Sequence, residues 1–315
     1  DTLSADGKRC VMLGNIGKPA LSILLEDTIS YDWVVLELSS FQLFWTQNIK
    51  VSVGAVVNIF PNHLNWHKDW QCYVESKLKL VDAADSLVCS VGIKDLVAQK
   101  AKGEKIHWIS DEQSMVAQDF EDPHLMTLLP ETLRVHALLA MKILSLLGVS
   151  LLVQRQALLD FRPWPYRCQL EPIKYGHWYN DAKSSNLAAA RYALSNIYRK
   201  HEKKVLWIAG GLTKQEDFSQ LGAWVATYVQ HAIVFGADKK LFLEHIRGHC
   251  SISPVKCLQD AIELSKQMMT ADDVVVFSPA AASFDQFENY MHRGQSFSEY
   301  LQHHLVIANS GSCDG

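Results

Sequence analysis

The sequence predicts an α/β protein in which helices cover both faces of parallel sheets. Short apolar runs such as "WVVLEL" (33–38) and "KVLWIAGG" (204–211) alternate with longer stretches whose apolar residues recur at helical spacing. Continuous apolar runs are typical of strands buried on both faces, and strand–helix alternation is typical of parallel sheets. Several runs end directly in small or polar residues, as strands do where ligands bind at the carboxyl ends of a parallel sheet.

Composition limits the class of protein and its partners. The chain has 315 residues, 48% hydrophobic and 20% charged, with a net charge of −4. This length predicts about two domains, and the charge argues against nucleic acid or a membrane as a partner. The seven cysteines include no Cys-x-x-Cys spacing, which favours reduced thiols in the cytoplasm. The opening "DTLSADGKRC" has no apolar core of a secretory signal, and no apolar run is long enough to span a bilayer.

Strands and helices alternate through the first half of the chain. Gly148 follows the longest helical pattern and is a natural C-cap. The predicted strands are 33–38, 51–59 and 86–90, and the predicted helices are 73–84, 132–148 and 152–161.

A domain boundary is predicted at "FRPWPYRC" (161–168), because its two prolines interrupt the pattern. The predicted domains are therefore 1–162 and 163–315. A hairpin follows, with its turn near Tyr175 and Gly176. Further strands are predicted at 204–211, 232–236 and 273–279, with helices near 217–230, 239–247 and 258–269, and the tail from His303 is expected to be loose.

Two strand ends of the first domain carry unusual chemistry. Glu37 lies in an apolar strand, where a lone carboxylate is costly to bury. A metal or a cation would stabilise it, and an edge strand with Glu37 facing water is an equally good interpretation. His63 and His67 follow the next strand. Their spacing allows a structural zinc site, but cysteine partners and the His-Glu-x-x-His glutamate are missing, so loop histidines are the favoured interpretation of this segment alone.

Two strand ends of the second domain could approach an anion. In "WYNDAKSSN" (178–186) a helix N-terminus and Lys183 make a ready anion site, although simple capping by Ser184 or Ser185 also explains the pattern. In "IAGGLTK" (208–214) two glycines allow close backbone approach and Lys214 can reach back, but this pattern alone is weak.

The last strand opens into "SPAAASFDQFENYMHRG" (278–294). Its small residues leave space after the strand, and they are followed by Asp285, aromatic residues and Arg293. A helix start packed with small residues would leave these two charges unexplained.

Taken in order, these segments resemble the Mur ligases. The last stretch is close to the signature of the members that add D-glutamate. "GNIGKP" is not a phosphate loop, because Met12 and Pro19 stand where that loop needs Gly and Ser or Thr. The matching stretches are "GNIGKPAL" (14–21), "LELSSFQL" (36–43), "NIFPNHLNWH" (58–67), "YVESK" (73–77), "YR" (166–167), "NDAKSSN" (180–186), "GGLTKQEDF" (210–218) and "SPAAASFDQFENYMHRG" (278–294).

The resemblance implies part of a three-domain architecture. Residues 1–162 match the C-terminal portion of the central ATP-binding domain, and residues 163–315 match a Rossmann-like domain that binds the incoming amino acid. The family's UDP-binding domain and its Gly-Lys-Thr/Ser phosphate loop are expected upstream of Asp1. The chain alone is therefore expected to be inactive, and the enzyme is expected to be monomeric.

The resemblance also implies a reaction. ATP phosphorylates the carboxylate of UDP-N-acetylmuramoyl-L-alanine, and the amine of D-glutamate attacks the acyl phosphate, in the synthesis of the peptidoglycan precursor. ATP and Mg²⁺ are the implied cofactors. Positioning and charge neutralisation carry most of the catalysis in such a reaction.

Residues of the first domain match the metal site of the family. Glu37 and His63 match the magnesium ligands, and Lys77 matches a lysine whose carbamate binds the metal. Residues matching positions beside the metal and the sugar substrate are Ser39, Ser40 and Gln42.

Residues of the second domain match the ATP and amino-acid sites. Arg167 matches an arginine that reaches the ATP phosphates, and Asp181 matches a carboxylate that holds the ribose hydroxyls. Residues matching positions around the reacting phosphate and the incoming amino acid are Lys183, Ser185 and Lys214. The D-glutamate pocket is implied at Ser283, the backbone near Tyr290, and Arg293 at its edge.

One segment departs from the family pattern. "TLRVHA" (132–137) stands where members usually carry His-Asn-x-x-Asn-Ala, so His136 replaces an asparagine that contacts ATP. This loss and the missing phosphate loop keep a non-catalytic ligand-binding remnant open as an alternative. Another Mur-type ligase or a folate polyglutamate ligase is the second alternative, and the choice of amino acid separates these hypotheses.

Overall fold

A computed structural model describes residues 2–25, 30–64, 66–100, 105–110, 131–213 and 216–306. The chain divides into two compact units, Asp1–Arg162 and Pro163–Gly315. Parallel sheets with flanking helices form both units, so the predicted α/β class is confirmed.

The first unit contains two parallel sheets. Strands β1 (Cys10–Gly14) and β2 (Trp33–Glu37) form one, and β3 (Val51–Val56), β4 (Ala84–Ser90) and β5 (Ile106–Ile109) form the other in that order. The helices are α1 (Thr2–Ala5), α2 (Ser40–Trp45), α3 (Trp70–Ala83), α4 (Lys94–Ala98), α5 (Glu131–Leu146) and α6 (Leu151–Asp160), with 3-10 turns at Ala20–Leu25 and Val91–Ile93.

Local sequence signals place the helix ends of this unit. The Asp69 side chain caps α3 by accepting from the Cys72 backbone N–H at 2.8 Å. Gly148 adopts φ +77° after α5, which is the left-handed conformation that favours glycine at a helix end. The apolar face of α3, including Val74 and Leu78, packs with Leu87 of β4 in the core.

A cavity of about 710 Å³ lies between β2 and β3. Every residue from Asp32 to Leu38 and from Lys50 to Asn58 lines it, so the edges of the two strands face the cavity. In the part of the chain that the structure describes, β2 pairs with β1 alone. Val34 and Val35 therefore remain 42% and 46% exposed, although their run was predicted to be a buried strand.

The second unit is built on a six-stranded sheet in the order β10-β9-β8-β11-β7-β6. Its strands are β6 (Gln169–Leu170), β7 (His177–Asn180), β8 (Val205–Gly210), β9 (Val229–Phe235), β10 (Ser251–Pro254) and β11 (Val274–Phe277). Its helices are α7 (Leu187–His201), α8 (Leu221–Tyr228), α9 (Lys239–Ile246), α10 (Leu258–Met268) and α11 (Tyr290–Val306).

The pairing in this sheet is parallel except at β6. The predicted hairpin is confirmed, because β6 pairs antiparallel with β7 and Gly176 turns the chain at φ +72°. All residues of β8 and β11 are buried, as their continuous apolar runs predict. One core cluster contains Trp207 and Phe242, and another contains Trp178 and Phe297, so apolar residues pack on both sides of the sheet.

Two predictions about the second unit were inaccurate, and one strand was missed. The helix predicted near 217–230 is shorter, because the chain already enters β9 at Val229. The strand β10 was not predicted, since its sequence Ser-Ile-Ser-Pro is short and polar. The tail predicted to be loose begins within α11, which continues to Val306, while residues 307–315 lie outside the described part. No helix among the described residues has the length and apolar character needed to cross a membrane.

Candidate functional site

Glu37 and Lys77 meet at the cavity of the first unit. Glu37 is the last residue of β2, and its Oε1 accepts a hydrogen bond from Asn15 Nδ2 at 3.2 Å. Lys77 lies on α3 and lines the same cavity. Burial lowers the pKa of the Lys77 ammonium, and the opposite charge of Glu37 partly offsets this by raising it. A lysine with a lowered pKa supplies more neutral amine, which is the form that reacts with carbon dioxide to give a carbamate.

A magnesium ion bound at this cavity would take most of its ligands from water and phosphate oxygens. Among the described residues, no group of three or more His, Cys, Asp or Glu side chains could hold a metal by itself. Mg²⁺ is usually held by one or two carboxylates, with waters and substrate phosphates completing its coordination. Glu37 offers one carboxylate, and a carbamate on Lys77 would offer a second at the same cavity.

The two histidines after β3 occupy different environments. His63 adopts φ +58°, and its ring contacts that of Phe41 edge-on with centroids 4.8 Å apart. His67 is 2% exposed, its Nε2 lies 2.9 Å from Ser40 Oγ, and its Nδ1 lies 3.9 Å from Cys72 Sγ. Burial lowers the pKa of His67, which favours its neutral form. With both ring nitrogens engaged, His67 is unsuited to the zinc site that the His-x-x-x-His spacing allowed.

The serine-rich start of α2 is occupied by local hydrogen bonds. Ser39 and Gln42 form a capping box, in which Ser39 Oγ accepts from the Gln42 backbone at 3.3 Å and Gln42 Oε1 accepts from the Ser39 backbone at 2.9 Å. Ser40 is 4% exposed and bonded to His67. The polar groups of all three predicted substrate residues therefore also fix the helix that follows Glu37.

Asp181 is a buried carboxylate that connects several segments of the second unit by hydrogen bonds. It follows β7 and is 5% exposed. Its Oδ2 accepts from Ser278 Oγ at 2.7 Å and from Ser184 Oγ, and its Oδ1 accepts from the Cys168 backbone at 3.2 Å. Burial raises the pKa of Asp181 to about 6, although these hydrogen bonds act to lower it. Both carboxylate oxygens, predicted to hold ribose hydroxyls, thus already have partners within the unit.

Arg293 is a fully buried cation of the second unit. The residue is 0% exposed, and its Nη2 donates to the carbonyl oxygens of Ala182 at 2.9 Å and Ala281 at 3.0 Å. Its Nε and Nη1 are buried without a hydrogen-bond partner among the described residues. Burial lowers the pKa of Arg293 to about 10, and the nearby charges of Asp285 and Asp181 act in the opposite direction.

Lys183 and Tyr290 come together across the second unit. The Lys183 ammonium lies 4.1 Å from the centroid of the Tyr290 ring. Ser283 is 3% exposed, and Oδ2 of the nearby Asp285 accepts from the Ala237 backbone at 2.9 Å. The end of β7, the loop after β11 and the start of α11 therefore form one locality, which includes the half-buried Ser185.

The remaining predicted residues are less closely defined. Arg167 and His136 are both exposed, the first before β6 and the second on α5. Lys214 lies outside the described residues. The N-cap of α7 is Asn186, whose side chain accepts from Ala189 at 2.8 Å, rather than either serine proposed from the sequence.

Sequence reasoning missed the partners that position the predicted residues. Ser278 and Cys168 bind Asp181, and Tyr166 accepts a backbone hydrogen bond from Lys183 at 3.1 Å. Ser278 and Asp181 are 97 residues apart, so no local pattern could pair them.

Comparisons with known proteins show what the chain is similar to. Residues 167–281 match the glutamate ligase domain of Mur ligases. A UDP-N-acetylmuramoylalanine–D-glutamate ligase of Thermotoga petrophila is 32% identical over 313 residues, which covers 96% of this chain and 70% of that protein. A ligase of the same name from Francisella tularensis is 27% identical, with 94% and 69% covered.

Solved structures share the fold. MurF ligase from Thermotoga maritima in complex with ADP gives a TM-score of 0.59 at 12% identity, covering 96% of this chain and 76% of that one. The bifunctional folylpolyglutamate synthase/dihydrofolate synthase of Yersinia pestis, complexed with AMPPNP and a Mn ion, gives 0.59 at 17% identity, covering 92% and 69%. The 32% identity to the Thermotoga petrophila ligase, over most of both chains, shows relationship as well as fold. This chain belongs to the Mur ligase family.

Proposed function

We propose that this chain acts in an ATP-dependent amide ligase that adds D-glutamate to UDP-N-acetylmuramoyl-L-alanine. The observation that carries the proposal is the 32% identity, over 96% of the chain, to a ligase of that name. The candidate site supports it, because the first unit offers a carboxylate and a desolvated lysine, and the second offers a lysine held over an aromatic ring.

In the first unit, the proposed metal ligands are Glu37, His63 and a carbamate on Lys77. Mg²⁺ held there would neutralise charge on the phosphoryl group during transfer. The desolvated Nζ of Lys77 favours the neutral amine from which the carbamate forms. Ser39, Ser40 and Gln42 hold α2 in place immediately after Glu37, and this helix would form the wall beside the sugar substrate.

In the second unit, the proposed roles divide between ATP and D-glutamate. Arg167 would contact the ATP phosphates, and His136 of the first unit would lie beside ATP. A ribose hydroxyl would donate a further hydrogen bond to Asp181, whose carboxylate already accepts hydrogen bonds within its own unit. The residues proposed around D-glutamate and the reacting phosphate are Lys183, Ser185, Lys214, Ser283 and the backbone near Tyr290. Arg293 is proposed at the edge of the same pocket, where it is bonded to the Ala281 carbonyl oxygen.

We further propose that the 315 residues alone do not hydrolyse ATP. The proposal rests on the sequence of these 315 residues, which holds no phosphate loop to surround the phosphates of ATP. Turnover of ATP by the purified chain would contradict this proposal.

The test of the proposed function is phosphate release by the complete polypeptide that the gene encodes. ATP, Mg²⁺ and UDP-N-acetylmuramoyl-L-alanine would be supplied, and D-glutamate would be compared with L-alanine, lysine and diaminopimelate. Release only with D-glutamate is the expected result. Release with a different amino acid would keep the ligase chemistry and overturn the substrate, and no release with any of them would favour a non-catalytic ligand-binding protein.

A further inference from the structure

The start of α11 is tied to the segment that follows β7. Arg293 Nη2 donates to the carbonyl oxygen of Ala182 at 2.9 Å, and Asn180 Nδ2 donates to the carbonyl oxygen of Gly294 at 2.9 Å. Both bonds hold the backbone just before Lys183, whose ammonium lies over the ring of Tyr290, the first residue of α11. The first turn of the helix therefore contacts both the backbone before Lys183 and the end of its side chain.

Tyr166 fixes the backbone of Lys183 from another direction. Its carbonyl oxygen accepts from the Lys183 N–H at 3.1 Å. The Tyr166 ring lies against α11 at Gly294, where an added Cβ would lie 2.4 Å from the ring Cγ. Only glycine at position 294 leaves room for this ring. Gly294 therefore lets Tyr166 pack on α11, and Tyr166 in turn fixes the backbone of Lys183.

The distance between Lys183 and Tyr290 sets this pair apart. The other lysine–aromatic pairs among the described residues have distances of 5.6 Å (Lys77–Tyr73), 5.9 Å (Lys79–Phe44) and 5.5 Å (Lys200–Tyr179), against 4.1 Å here. An ammonium within about 6 Å of a ring centroid is attracted to the ring face, and the attraction strengthens as the two approach. The lysine side chain is flexible and lets its ammonium occupy many positions. A ring beneath the ammonium favours one of them.

We propose that Tyr290 is a positioning residue for Lys183, and that its ring holds the ammonium ready for an anionic oxygen of the substrate at the amino-acid pocket. The inference rests on the proposed function for the identity of that substrate. The ring supplies the attraction and the phenolic hydroxyl does not. Tyr290→Phe should therefore behave as the unchanged protein does, and Tyr290→Leu should lose the effect.

The position of Lys183 can be measured without activity. In the 315-residue chain, lysines would be reductively methylated with ¹³C-formaldehyde, and the Lys183 signal would be assigned from its loss in Lys183→Arg. A ring beneath the amine should displace this signal upfield in the unchanged chain and in Tyr290→Phe, and the displacement should vanish in Tyr290→Leu. The Lys200 signal, with its own ring at 5.5 Å, is the internal control and should not move. A Lys183 signal at one position in all three proteins would overturn the proposal.

The kinetic consequence would be measured in the complete polypeptide. Tyr290→Leu should lower kcat/KM for D-glutamate roughly five- to thirty-fold, the range expected for a partly desolvated cation–π contact. Tyr290→Phe should stay close to the unchanged enzyme, and Tyr175→Leu, in the hairpin turn, is the matched control. If the unchanged enzyme turns over without any dependence on D-glutamate, the proposed function fails and the methyl signals still decide the positioning role. If turnover depends on D-glutamate and Tyr290→Leu equals Tyr290→Phe, the positioning role is refuted.

Discussion

Replacing Gly294 by alanine tests the contact between Tyr166 and α11. The new Cβ would lie 2.4, 2.6 and 2.7 Å from three ring atoms of Tyr166, whereas carbon atoms in contact prefer about 3.5 to 4 Å. The ring must therefore move by about 1 Å. Its backbone cannot easily follow, since Tyr166 adopts φ +63° and its carbonyl oxygen is bonded to Lys183.

The magnitude follows from two opposing effects. Alanine stabilises a helix interior by about 1 kcal/mol relative to glycine. Overpacking of this kind costs about 1–3 kcal/mol. Gly294→Ala should therefore lower the free energy of unfolding by about 0–2 kcal/mol in the unchanged chain. In a Tyr166→Ala background the clash is absent, and the same substitution should stabilise by up to about 1 kcal/mol.

Native-state hydrogen exchange of the amides in Val205–Gly210 is the assay. All residues of this strand are buried, so their slowest exchange reports the opening of the second unit as a whole. The measurement does not require both units to unfold in one step. An equal effect of Gly294→Ala in the two backgrounds would refute the packing of Tyr166 against α11.

Three further substitutions test other parts of the site. Asp181→Asn should remove a pH-dependent loss of stability. The pKa of the folded Asp181 carboxyl is raised from 3.8 to about 6, so the protonated group stabilises the fold most below about pH 4. Its contribution to the free energy of unfolding falls by up to ~3 kcal/mol as the pH rises through about 6. Urea denaturation from about pH 4 to pH 7 would check this, and parallel pH curves for the variant and the unchanged chain would contradict it. Ser40→Ala should lower the free energy of unfolding by about 1–3 kcal/mol, because His67 Nε2 loses its buried partner. Replacing the exposed Ser52 by alanine should change it by no more than about 0.5 kcal/mol. Hydrogen exchange of the β4 amides distinguishes the two variants. Lys77→Ala in the complete polypeptide should lose most phosphate release without rescue by bicarbonate, since alanine has no amine to carry a carbamate, and near-normal turnover would remove that assignment.

The fold was predictable where side-chain character and position in the sheet agree. The runs at Val205–Gly210 and Val274–Phe277 are apolar because both faces of those strands are covered, and both lie inside the sheet. The run at Trp33–Glu37 has the same character, yet its edge faces the cavity. Apolar character shows that a strand belongs in a covered sheet, but it does not show which neighbour covers it. The edge strand Ser251–Pro254 was missed for the converse reason, because it is polar and has one neighbour.

The candidate site was predictable as a set of residues rather than as a set of contacts. One signal was available and was assigned to another role, since Ser39 and Gln42 have the Ser-x-x-Gln spacing of a capping box. The burial of Arg293 could not be predicted, because its partners come from loops after two different strands. The Tyr166 ring packs against Gly294, which is distant from it in sequence. Only the folded chain reveals why a glycine follows Arg293.

Buried charge in the second unit is better explained by position than by stability. Asp181 connects the ends of β7 and β11, Arg293 connects Ala182 with Ala281, and the half-buried Asp285 accepts from the Ala237 backbone after β9. Burying such groups contributes little net stability, because desolvation offsets most of their attraction. Apolar residues could fill this space, but they could not bind the backbone of several loops in fixed directions. A loop held in this way has little freedom left to lose when a ligand arrives, which lowers the cost of binding and keeps charge aimed at the reacting atoms. These groups thus fix the backbone around Lys183 and Ser283, where the D-glutamate pocket is proposed.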